Sequence, residues 1–164
     1  MPVINYSRGH LQRSSSIQRI FNAVKVTRHK LEVDYEYDFL MIGISCHEKP
    51  YRMAWAINEA LELELEKTNP HLLSLKKAEP PVAFSQFVYE LPDHEASFIL
   101  IANKSEGSYL IPEMPAADYF LLVHGPYDNE NNAMFMQKIR NIPFVLTTFT
   151  INPDQLKSKQ NLVF

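Results

Sequence analysis

Residues Phe39 to Ser45 read Phe-Leu-Met-Ile-Gly-Ile-Ser, an apolar run with no alternation. Such a run is the pattern of a strand covered on both faces, and it predicts a central place in a sheet. Residues 31–37 do alternate: Leu31, Val33, Tyr35 and Tyr37 are set against Glu32, Asp34 and Glu36, as in a half-exposed strand or an extended lead-in. After a turn at 46–50 the period becomes helical. Over residues 51–66 one broad face collects Met53, Ala54, Ala56, Ile57, Ala60, Leu61, Leu63 and Leu65, opposite Asn58, Glu59, Glu62 and Glu66. Two residues break that pattern: Trp55 falls on the polar side, and Glu64 falls within the apolar arc. An exposed tryptophan at such a place is expected to cover a loop or meet another subunit.

Asn69-Pro70 closes the predicted helix, and Pro80-Pro81 ends a connection. Residues 82–91 and 95–103 are two strand-like runs around Pro92-Asp93-His94, which predicts a hairpin. A second turn over 104–108 contains Gly107, and a third strand region spans 109–111 and 118–124. Pro112 and Pro115 cannot donate to a ladder, so the stretch between them is an edge or loop. Asp128 or Asn129 is placed to cap a second helix running to about residue 142, with Glu130 favourable at its positive end. Residues 143–151, rich in Phe, Val and Thr, form the last strand, and 157–164 are a tail. The order β-α-β-β-β-α-β predicts an α+β fold. Its simplest form is a ferredoxin-like two-layer sandwich with a mostly antiparallel sheet and both helices on one face.

At 164 residues, 46% hydrophobic and 21% charged, the chain has an ordinary globular make-up and the length of one domain. We read residues 1–24 as a flexible basic tail. Residues 25–164 read as a single α+β domain whose apolar C-terminus, Leu162-Val163-Phe164, docks on the body or on a second subunit. The net charge of −3 is unevenly spread. Arg8, Arg13, Arg19, Lys25, Arg28 and Lys30 make residues 1–30 strongly basic with no acid, while the remaining ten bases and nineteen acids leave the body acidic. An acidic body repels phosphate backbones, so nucleic-acid contact is expected only through the arm at 8–30. The longest apolar runs fall far short of the roughly 20 residues that cross a bilayer. No secretory signal is visible, and the single cysteine fits a reducing cytoplasm.

Motifs with a defined reaction are missing. There is no Gly-x-Gly-x-x-Gly, P-loop, His-Glu-x-x-His or Gly-x-Ser-x-Gly, and four glycines leave little room for phosphate-cradling loops. Cys46-His47-Glu48 is the sharpest cluster, a cysteine at a strand end just before a helix N-terminus, where a thiol pKa can be lowered and a histidine can serve as base. The alternative is a buried or capping cysteine, since residues adjacent in sequence usually point apart. Six histidines are scattered without metal-ligand spacing, and nothing implies a cofactor. Glu113 and Asp118 are a second pair: as an acid/base couple they would split their pKa values, and as structural groups they would accept backbone N–H bonds around one turn, with Tyr119 packing at the strand start.

Ile111-Pro112-Glu113, three residues, then Ala117-Asp118-Tyr119 resembles the signature of the IPExxxVDY family, small and mostly Bacteroidetes proteins. The resemblance covers roughly residues 30–164. It also draws on Phe39–Ser45, on residues 51–58, on Asn103-Lys104 and on residues 156–164. Ala117 departs from the family name, which has Val there. The resemblance implies a bacterial protein, and it supplies no substrate, cofactor or catalytic residue.

The function expected from these features is a non-catalytic interaction or regulatory domain, binding a protein partner or itself, with Trp55, Glu113 and Tyr119 as candidate binding residues. The alternatives are a small enzyme with its site around Glu113, Asp118, Cys46 and His47, and an RNA-contacting accessory protein.

Overall fold

The computed structural model describes residues 39–74, 80–92, 96–126 and 129–164. The basic arm, the alternating stretch at 31–37, Asp93-His94 of the expected hairpin turn and the candidate cap Asp128 lie outside the described residues. In chain order the elements are β1 (Phe39–Ser45), α1 (Pro50–Leu61), β2 (Glu66–Lys67), β3 (His71–Leu73), β4 (Val82–Phe84), β5 (Gln86–Glu90) and β6 (Ser97–Ala102). There follow β7 (Lys104–Ser105), β8 (Ser108–Tyr109), β9 (Tyr119–His124), α2 (Asn129–Arg140) and β10 (Thr147–Ile151). Two 3-10 turns, Pro153–Gln155 and Lys159–Leu162, close the chain.

Six strands form one sheet in the order β10-β1-β9-β6-β5-β2, and every neighbouring pair is antiparallel. Both helices pack on one face of it, a mixed α+β arrangement consistent with a ferredoxin-like two-layer sandwich. On that side Leu40, Ile42 and Ile44 of β1 meet Met53, Ile57 and Leu61 of α1 and Phe135 and Ile139 of α2. The opposite face, with Met41, Ile99, Ile101, Phe120 and Leu122, is covered by Phe84 of β4, by Leu110 and Ile111 at the start of the signature segment, and by Leu156 and Leu162 of the tail. Burial on both sides is why β1, β6 and β9 read as unbroken apolar runs. Among the described residues no helix is long and apolar enough to cross a membrane.

Gly43 sits in β1 opposite Phe149 of β10. A Cβ at this position would stand 2.5 Å from the Phe149 ring, so the close approach of that ring requires glycine.

The first helix is shorter than its expected span of 51–66. It stops at Leu61, and Glu62 takes the left-handed conformation with φ 57 and ψ 44. The reason lies in the side chains beyond it. Leu61, Leu63 and Leu65 are buried while Glu62, Glu64 and Glu66 are exposed, which is the period of an extended chain. Asn58 fixes the exit: its Oδ1 accepts from the Leu65 N–H at 2.8 Å and its Nδ2 donates to the Leu65 carbonyl at 3.2 Å. The released chain then adds β2 to the sheet edge, a strand absent from the expected order.

Candidate functional site

The signature segment is organised by Asn103, which ends the apolar run of β6 and is fully buried. Its Nδ2 donates to the carbonyls of Met114 and Ala117, both at 2.9 Å, and its Oδ1 accepts from the Ile111 N–H at 2.8 Å. Its backbone accepts from the Leu110 N–H and donates to the Asp118 carbonyl, each at 2.8 Å. One amide therefore closes the loop from both sides. The loop's own turns, Met114 N–H to the Ile111 carbonyl and Ala117 N–H to the Met114 carbonyl, do the rest. Ala117 is buried with no exposed surface.

The two signature carboxylates serve different parts of the chain. Glu113 accepts the backbone N–H of Ser158 at 2.7 Å and the Ser158 hydroxyl at 2.9 Å. Partial burial pushes its carboxyl up, but hydrogen bonds from the Ser158 N–H, its own N–H, the Ser158 hydroxyl and the Lys157 N–H together hold it below the ordinary glutamate range. Asn161 adds a second fastener, donating to the Leu110 carbonyl at 2.8 Å. Asp118 turns the other way. It accepts the Cys46 N–H at 2.9 Å and the Ser45 hydroxyl at 3.5 Å, and it pairs with the Lys104 ammonium at 2.6 Å, which raises the pKa of that lysine. The single shared turn expected for Glu113 and Asp118 is replaced by two separate long-range ties.

Tyr119 is buried, and its hydroxyl donates to the Glu48 carbonyl. Burial foremost, then the negative groups around it, push its hydroxyl well above the ordinary tyrosine range. Together Asp118 and Tyr119 pin the turn between β1 and α1. Within that turn Cys46 is only 1% exposed, and burial pushes its thiol up, opposed by the hydrogen bond from the Glu48 N–H and reinforced by the negative charges of Glu48 and Asp118. Its Sγ accepts the Glu48 N–H at 3.3 Å, and the neighbouring His47 is exposed. A thiol held in its neutral form is a poor nucleophile. Among the described residues no three His, Cys, Asp or Glu side chains converge where a metal ion could sit.

A different region carries an exposed groove. Trp55 is 63% exposed on α1, and beside it lies a groove of about 430 Å³ between α1 and the chain leaving α2. Ala56 and Ala60 form one wall, and Ile142, Pro143 and Phe144 form the other. Glu59 and Lys138 stand on opposite walls. The second wall is held in place: the Val145 N–H donates to the Ile142 carbonyl at 3.0 Å and the Leu146 N–H to the Ser45 carbonyl at 2.9 Å. The Arg52 guanidinium lies 5.1 Å from the centre of the Phe144 ring. None of Glu113, Asp118, Cys46, His47 and Tyr119 lines this groove.

No family model, curated protein or solved structure matches the chain. Sequence reasoning singled out Trp55 but missed Asn103, Ser158 and Asn161 as the groups that hold the signature in place. The one local signal for Asn103 is a polar residue closing an apolar strand, and its partners become apparent only on folding.

Proposed function

We propose that this chain is a non-catalytic, cytoplasmic protein-interaction domain of the IPExxxVDY type, and that it docks its partner in the groove beside Trp55. The observation that carries this reading is the exposed indole next to a preformed apolar groove. Tryptophan is prominent among the residues that dominate binding energy, and an apolar groove of this kind favours a complementary protein surface. The signature residues support the reading from the other side. Glu113, Asp118 and Tyr119 are occupied by hydrogen bonds that hold the tail, the end of β1 and the turn before α1. An enzyme centred on Cys46, His47, Glu113 and Asp118 has less support, because the thiol is buried and held protonated while His47 faces solvent.

Photo-cross-linking in living cells tests this. A photoreactive residue replaces Asn141, exposed on the groove wall, or Glu106, exposed at the tip of the β7–β8 hairpin. The docking reading expects a discrete protein adduct from position 141 and none from position 106. No adduct from position 141, or an equal one from position 106, would contradict it.

A further inference from the structure

We propose that the occupant of the groove is a second copy of this chain, docked about a two-fold axis; this rests on the groove being the docking site. A two-fold interface uses the same patch twice, so the patch must be complementary to itself. This one carries a projecting indole beside small side chains, and one acid and one base on opposite walls. Trp55 projects from α1, and beside it the same helix offers the small side chains Ala56 and Ala60, with Ile142 and Pro143 facing them. The patch therefore holds a knob and a hollow side by side, and a two-fold rotation carries the indole of each copy over the hollow of the other.

Charge follows the same rule. Glu59 stands on the α1 wall and Lys138 on the α2 wall, and neither makes an ion pair among the described residues. Rotation about the groove sets each Glu59 against Lys138 of the partner subunit, giving two equivalent pairs. The exposed Tyr51 lies one turn before Trp55 on the same helix, and Leu146, also exposed, follows the second wall, so the apolar surface extends past the groove itself. The strongly basic arm of this chain is a poorer occupant. Its six positive charges call for an acidic surface, and the groove offers one acid and one base.

Sedimentation velocity of the full chain over a wide concentration range, read alongside tryptophan emission, tests the proposal. Trp55 is the only tryptophan, so its emission reports the groove alone. The expected result is a reversible dimer whose formation shifts the emission to the blue. Trp55→Ala should sediment as a monomer with an unchanged circular dichroism spectrum. Glu59→Lys and Lys138→Glu should each weaken the dimer about tenfold or more, because each places like charges opposite one another. Mixing the two single variants, or combining both changes in one chain, should restore it.

A wild-type chain that remains monomeric with constant emission overturns the proposal, whether the groove is then filled by the arm or by another protein. So does a dimer indifferent to the charge swaps. A monomeric chain that still gives a foreign adduct from position 141 removes only the second copy and leaves the docking reading standing. Absence of any adduct removes both.

Discussion

Glu113 and Ser158, 45 residues apart, are joined by two hydrogen bonds, one from the Ser158 N–H and one from its hydroxyl. This pairing ties the loop after β8 to the segment that covers the far face of the sheet. Hydrogen bonds to a charged acceptor contribute about 1.5–3 kcal/mol, and partial solvation of Glu113 brings the expected loss for Glu113→Ala to the bottom of that range or just under it, about 1–1.5 kcal/mol. Glu113→Gln keeps an acceptor for the backbone N–H but not the charge, so it should cost less than Glu113→Ala. Ser158→Ala should cost about 0.5–1 kcal/mol, and in urea melts the double variant should fall short of the sum of the two singles. Full additivity would mean that the two side chains do not interact in solution.

Acid sensitivity separates two groups. The carboxyl of Glu113 has a folded-state pKa below its ordinary 4.5, so the unfolded chain takes up a proton first. Its contribution is fully present above 4.5 and is lost as pH falls through the folded value. His71 titrates higher. Burial holds its imidazole below the ordinary 6.5, only partly offset by a backbone hydrogen bond at Asn161, and its ring meets that of Phe164 at 4.9 Å. Here too the unfolded chain binds the proton more readily, so stability is unaffected well above 6.5 and falls as pH drops from there toward the folded value. Stability measured from pH 8 down to about pH 3 should therefore show two declines. His71→Gln should remove the upper one and Glu113→Gln the lower. A profile unchanged by either substitution would contradict these assignments.

The tail should be structural through Leu162 rather than through its last two residues. Leu162 is 3% exposed in the far-face core, whereas Val163 and Phe164 are about half exposed. Burying one large aliphatic side chain contributes about 1.5–3 kcal/mol, so Leu162→Ala should lower stability by about 2 kcal/mol or more. Removing Val163 and Phe164 should have the smaller effect. Equal losses from the two changes would show that the aromatic end does as much as the leucine.

Cys46 should resist thiol reagents in the folded chain. With 1% exposure and a pKa raised by burial, its labelling should proceed only as fast as the chain opens, and should accelerate in denaturant. Rapid labelling of native protein near neutral pH would revive a reactive-thiol reading.

The layered core was legible because its signals are local. The unbroken run from Phe39 to Ile44 announced a strand covered on both faces, and the position of Trp55 on a polar helix face announced an exposed indole. The overrun of the first helix came from giving Leu63 and Leu65 to a helical face when their alternation with Glu62, Glu64 and Glu66 already carried the extended period. Asn58 settles that choice by bonding Leu65, a contact that exists only once the helix has ended. The roles of Glu113 and Asp118 were hidden for a related reason. Their partners, Ser158 and the Cys46 N–H, are distant in sequence, and no spacing rule links them. The groove likewise needed the chain after α2 to fold back, bringing Phe144 to Arg52.

If the signature holds the fold together while the groove at Trp55 does the binding, stability and association must answer to different residues. Unfolding free energy and self-association, measured side by side on Trp55→Ala and Glu113→Gln, decide the matter. Trp55→Ala should keep wild-type stability and lose association, and Glu113→Gln should stay folded with its association intact. A stable Glu113→Gln protein that no longer associates, or a Trp55→Ala protein that associates as the wild type does, would contradict this division of roles.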